Sequence, residues 1–202
     1  LQTWVKKEFE EGKIFEQFLE HVYGEKVVLE EADIVFVSDM YANQFTGGAE
    51  LSLQAIIDSI PNNKTHVLLN SSDVSTQHLD FYKNAKWIFG NIANLGEKTI
   101  DKIANSGIEY HFIEFDYKYC EYRNPKLYHF LEDEECNYLS TDRGVLLKKF
   151  IENSKKTFFM SKSQMEICRT HLQISDSASL EVLSSIFDKP FFDSIKKLDT
   201  NK

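Results

Sequence analysis

The sequence predicts an α/β protein built on a doubly wound, mostly parallel Rossmann-like sheet with helices on both faces. Short apolar runs rich in β-branched and aromatic residues alternate with helical patterns of about three turns. Breakers such as Pro61-Asn62-Asn63 and Gly107 fall between these segments. A glycine pair, Gly47-Gly48, stands between the first strong strand and the helix after it. Regular strand–helix alternation indicates βαβ units, whose strands lie parallel.

Taken in order, Thr3 to Tyr23 reads as an amphipathic helix. Trp4, Val5, Phe9, Ile14, Phe15, Phe18, Leu19 and Val22 recur between charged neighbours, and Gly24 marks its end. Asp33–Ser38 is a strand because Ile34-Val35-Phe36-Val37 is a continuous apolar run. Ala49–Ser59 is a helix with Leu51, Leu53, Ala55, Ile56 and Ile57 on its apolar face. Strand Thr65–Leu69, helix Ser75–Lys83, strand Trp87–Phe89 and helix Glu97–Asn105 follow. Gly107 then separates that helix from strand Glu109–Phe115. An irregular tract, Asp116–Asp142, precedes helix Arg143–Asn153, strand Thr157–Met160, helix Ser163–His171 and a short strand Leu180–Leu183.

Bulk properties narrow the function classes. A chain of 202 residues is long enough for one domain with a sizeable core and short for two. Its net charge of −9 argues against a general nucleic-acid binder, although a local loop can still receive an anion. No apolar run is long enough to span a bilayer, and no signal-peptide pattern opens the sequence. The odd, sparse set Cys120, Cys136 and Cys168 fits free thiols in a reducing cytoplasm. A cytoplasmic location follows, with a peripheral membrane position compatible.

In doubly wound sheets, ligands bind beyond the carboxyl ends of the strands. Those ends carry Asp39, Asn43 and Gln44; Asn70, Ser71 and Ser72; Gly90-Asn91; Asp116-Tyr117-Lys118-Tyr119; and Ser161-Lys162-Ser163. Hydroxyls, amides and a few charges suit sugar hydroxyls and phosphate oxygens. Asn70-Ser71-Ser72-Asp73 also fits a helix cap, the reading favoured for it. Tyr117 offers a flat face to a sugar ring, while Lys118 and Arg123 suit phosphate or an acidic acceptor. Asp116 is placed to accept a hydrogen bond from an acceptor hydroxyl, or simply to serve the turn. His111 lies inside its strand and receives no role. The acidic run Glu132-Asp133-Glu134-Glu135 reads as a solvated loop, with no metal assigned.

Gly47-Gly48-Ala49-Glu50 at the start of a helix leaves backbone N–H groups uncovered at the positive end of the helix dipole. The same glycines would serve a plain strand-to-helix turn. The motif is neither a G-x-G-x-x-G fingerprint nor a Walker loop. Together with Leu51-Ser52-Leu53 it resembles the start of family 4 glycosyltransferases of the GT-B fold. Phe158-Phe159-Met160-Ser161-Lys162-Ser163-Gln164 and Glu181-Val182-Leu183-Ser184-Ser185-Ile186-Phe187-Asp188 look like that family's late strands.

The resemblance spans roughly residues 32–193, one lobe of a two-lobed retaining enzyme. It implies transfer of a hexose-type sugar from a nucleotide-diphosphate donor to a glycan, lipid or small-molecule acceptor. Gly47, Gly48, Ala49 and Glu50 would face the donor diphosphate. Asn91, Tyr117, Lys118, Arg123 and Ser161 would line the acceptor side, with Asp116 closest to the chemistry. No cofactor beyond the nucleotide sugar is implied, and no metal. Nothing resembling the donor lobe is present, so a C-terminal donor domain or partner subunit is expected, and the chain alone is expected to be inactive. The organisation is then residues 1–31 as helix and connector, 32–193 as the Rossmann-like domain, and 194–202 as the start of a linker or tail. The rival reading is a non-catalytic doubly wound binding or regulatory module acting through a partner. Its receiver-domain version is weak, because Gly90-Asn91 stands where a phosphoacceptor aspartate would be needed.

Overall fold

A computed structural model describes residues Leu29–Phe187. The elements below all belong to the compact unit that begins at Glu31. The helix expected over Thr3–Tyr23, the Phe191-Phe192 stretch and the 194–202 tail lie outside the described residues.

The described chain runs β1 (Ile34–Ser38), α1 (Gly48–Asp58), β2 (His66–Asn70), α2 (Thr76–Phe81), β3 (Lys86–Phe89) and α3 (Glu97–Asn105). It continues through β4 (Tyr110–Glu114), α4 (Pro125–Glu132), α5 (Asp142–Asn153), β5 (Lys156–Phe159), α6 (Lys162–Leu172) and β6 (Leu180–Val182). The six strands form one sheet in the order β2-β1-β3-β4-β5-β6, and every pair is parallel. This is the doubly wound α/β class that the strand–helix alternation predicts.

Period-two alternation divides the core between the sheet's faces. Phe36 and Ile113 meet Leu53 and Ile57 of α1, with Ile34, Ile88 and Phe158 packed around them. On the opposite face Trp87, Phe89, Tyr110 and Phe112 are buried, and Phe150 of α5 stands edge-on to Phe89 and Phe112. Tyr110 crosses the layer to donate its hydroxyl to the Phe150 carbonyl at 2.6 Å. The central strands are therefore sealed on both sides, as parallel sheets require.

Two local expectations need correction. The tract Asp116–Asp142 is not irregular throughout, since it contains α4 and a short 3₁₀ turn, Tyr138–Ser140. Asn124 caps α4 by accepting from the N–H groups of Lys126 and Leu127 at 3.1 and 3.2 Å, and Pro125 takes the first helical position. Asn70-Ser71-Ser72-Asp73 does not cap the next helix. Ser71–Asp73 forms its own 3₁₀ turn, and Ser75 caps α2 in a reciprocal box with His78.

Candidate functional site

Strand order reverses at β1. The chain places β2 on one side of β1 and β3 on the other, so the loops leaving β1 and β3 diverge and open a crevice at their carboxyl ends. Asp39 organises that crevice. Its carboxylate accepts from Ala93 N at 2.8 Å, from Asn94 N at 2.9 Å and from the Ser71 hydroxyl. Its own N–H donates to the Asn91 carbonyl at 2.6 Å. One side chain thus ties together the loops that follow β1, β2 and β3.

The glycine loop borders this point. Tyr41 is buried, and its hydroxyl reaches the carbonyls of Phe36 and Leu69, each at 2.9 Å. Gln44 folds back to accept from Tyr41 N at 3.0 Å. The chain then passes exposed Phe45 and enters α1 through Gly47, a cap residue with no side chain to satisfy the first-turn N–H groups. The two glycines differ. A side chain at Gly47 would overlap the Glu50 carboxylate and the Phe45 ring, whereas one at Gly48 would meet nothing within 4 Å. A side chain at Gly47 would require those two groups to shift, whereas Gly48 leaves open space at the first helical position. Ala49 follows in the same turn. Glu50 turns inward and is 7% exposed.

At the centre of the rim, β4 ends in a charged cluster. Glu114 and Lys118 are 1% and 3% exposed, and Lys118 Nζ donates to Glu114 Oε1 at 2.7 Å. The same ammonium reaches Asp116 Oδ1 at 3.1 Å, and Arg123 Nη1 reaches Asp116 Oδ2 at 3.3 Å. Arg123 does so from a left-handed backbone conformation, φ 53°. Burial is the largest influence on Glu114, with Lys118 opposing it, and its carboxyl is pushed up to about 7. Burial also works against the charge of Lys118, but Glu114 and Asp116 outweigh it and hold the ammonium above the usual lysine range.

Lys118 therefore faces inward, with its charge directed to two carboxylates rather than to solvent. Asp116 keeps 28% of its side chain exposed, Arg123 is exposed, and Tyr117 is half-buried with its ring edge-on to Tyr119. Ser161, exposed after β5, accepts from Gln164 N at 3.1 Å as the cap of α6. Asn91 is half-buried, and its Oδ1 is sealed without a hydrogen-bond partner among the described residues. The predicted residues thus fall into two groups on one rim: Gly47–Glu50 after β1, and Asp116, Tyr117, Lys118, Arg123 and Ser161 after β4 and β5, with Asn91 in the loop after β3 between them.

Two further rim residues were not singled out from the sequence. Gln164 donates from Nε2 to the carbonyls of Glu114 and Asp116 at 3.1 and 2.9 Å and accepts from Met160 N at 2.7 Å. It stitches the end of β4 to the end of β5. Its signal is the Ser161-x-x-Gln164 spacing of a capping box. Arg143 donates to the carbonyls of Ile92 and Ala93 at 3.2 and 3.4 Å, bracing the loop after β3. A cation in the first turn of a helix opposes the macrodipole, so its placement signals a task other than helix stability.

Among the described residues no cluster of His, Cys, Asp and Glu is arranged to hold a metal ion, and the three cysteines are buried and unpaired. No helix of the described residues is long and apolar enough to cross a membrane. Compared with known proteins, the chain matches no family model, no curated protein and no solved structure.

Proposed function

We propose that this chain is the acceptor-side lobe of a retaining GT-B glycosyltransferase resembling family 4. The observation that carries the reading is the uncapped start of α1 at Gly47-Gly48, opening beside the reversal between β1 and β3. Open space over Gly48 leaves room for a diphosphate to approach the first-turn N–H groups. Those donors would stabilise negative charge that grows on the leaving diphosphate as the glycosidic bond breaks. The nucleotide would be gripped by a second lobe, supplied by a further domain or a partner subunit.

On the other half of the rim, Asp116 presents its exposed carboxylate edge to an acceptor hydroxyl. Lys118 and Arg123 fix that carboxylate from two sides, and Gln164 fixes its backbone. Lys118 acts here as a positioning residue. Tyr117 and the free O–H of Ser161 supply the remaining polar edge, to which Asn91, with its Oδ1 sealed, would add only amide N–H groups. A non-catalytic module working through a partner is the second reading, favoured by exposed apolar side chains on α4.

Titration of the chain with UDP-, GDP- and ADP-sugars, read amide by amide by NMR, tests the proposal. Weak saturable shifts at Gly47–Glu50 are expected, without turnover. No response at the rim, or a response confined to another surface, would overturn the diphosphate assignment.

A further inference from the structure

α4 is a helix with almost nothing beneath it. Only Pro125 is buried, and Tyr128 is half-buried. Leu127, Phe130 and Leu131 fall at i, i+3 and i+4 on one face and stand in solvent, Phe130 at 81% exposure. The helix nevertheless has a defined frame. Asn124 caps its start, and Asp133 closes its end in a left-handed conformation, φ 55°, donating its N–H to the His129 carbonyl at 3.0 Å. Tyr122 donates its hydroxyl to Glu132 and Tyr128 to Glu134 at 3.4 Å, with the two rings 5.6 Å apart. The excursion is clasped by its own side chains, which hold the apolar stripe outward.

Four consecutive acidic residues, Glu132-Asp133-Glu134-Glu135, adjoin the stripe. Among the described residues none of them pairs with a lysine or arginine; Glu135 meets only His129, at 3.5 Å. An apolar stripe beside unneutralised carboxylates selects its occupant by charge. A second copy packed stripe to stripe in parallel register would set the two acidic runs against each other, and any self-association works against a net charge of −9. An anionic lipid surface would be repelled in the same way. We propose that the Leu127–Phe130–Leu131 face is a docking surface for a basic amphipathic helix of a partner protein. Its apolar side chains would cover the stripe and its lysines or arginines would meet residues 132–135. This assignment does not depend on the glycosyltransferase reading.

The probe is a synthetic peptide of leucine and lysine at amphipathic helical spacing, titrated into the full chain at physiological salt and followed by NMR. Saturable one-to-one binding is expected, with shifts centred on Tyr122–Glu135. The Phe130→Ser/Leu131→Ser variant should bind about tenfold more weakly, the scale of losing interface anchors. Glu134→Lys/Glu135→Lys should also weaken binding and flatten its salt dependence. This second variant keeps the test informative should the first fail to fold. A leucine–glutamate peptide of the same spacing should not bind. The proposal is overturned by shifts centred elsewhere, by wild-type affinity in the Ser or the Lys variant, by retention of the chain on phosphatidylglycerol vesicles, or by a dimer in sedimentation that Phe130→Ser abolishes.

Discussion

Lys118 Nζ lies 2.7 Å from Glu114 Oε1, and both side chains are closed to solvent. The ammonium also serves Asp116, so one buried cation stands between two carboxylates of different depth. Stability and the shape of the rim meet in this cluster.

Removing the cation lets the deeper carboxyl take up a proton and leaves it short of a hydrogen-bond partner. Lys118→Met is expected to lower stability by about 1–3 kcal/mol, the cost of a buried polar group left unsatisfied. The double variant Glu114→Gln/Lys118→Met should recover much of that loss. Urea denaturation of the wild type and the two variants measures this, and equal stability of single and double variants would contradict it.

The same pair sets a pH dependence. Glu114 has its folded value raised, to about 7 against an ordinary value of 4.5. The folded state therefore holds the proton more tightly than the unfolded chain, and stability from this group is full below about 4.5 and lost as pH rises toward 7. The stability of the wild type relative to Glu114→Gln should fall across that window. A pH series of denaturation midpoints that runs parallel for the two proteins would refute the assignment.

Asp39→Ala should cost about 2–3 kcal/mol, because hydrogen bonds to a charged group are the stronger kind and their donors are left without partners. Its local signature is faster hydrogen exchange at the amides of Ala93 and Asn94, which lose their acceptor. Unchanged exchange there would show that the loops do not depend on this carboxylate.

The two loop glycines should respond in opposite ways. Gly47→Ala displaces the far ends of the Glu50 and Phe45 side chains and is the poorer N-cap, and should destabilise by about 1 kcal/mol or less. Gly48→Ala meets open space and should leave stability unchanged or raise it by up to about 1 kcal/mol. A bulkier Gly48→Leu should keep the fold and suppress the response to nucleotide sugars. Thermal melts and the titration together read both properties.

The sheet was legible because four or five apolar residues in a row, bounded by breakers, leave few alternatives to a buried strand. Ile34–Val37 shows this most plainly. The 125–132 helix was hidden among aromatics and charges with no buried face, and its one local signal was Asn124-Pro125. For the rim, the sequence placed these loops at the carboxyl ends of the strands but did not reveal the direction of the side chains. Lys118 looked outward in a polar tract; it points inward because Glu114, at the end of the central strand, needs a counter-charge. The ties of Asp39 to residues 71, 93 and 94 span 32, 54 and 55 positions. They depend on strand order, which no local pattern encodes.

Those separations also impose a timetable. A chain emerging from the ribosome N-terminus first presents Asp39 long before its last acceptor-seeking amide, Asn94, has been made. Until that loop leaves the exit tunnel, the carboxylate is served by water and, once β2 has paired with β1, by the Ser71 hydroxyl, so the first two strands can pair without completing the crevice. The site's architecture is thus assembled in time as well as in space. Its first residue waits, hydrated, for the last.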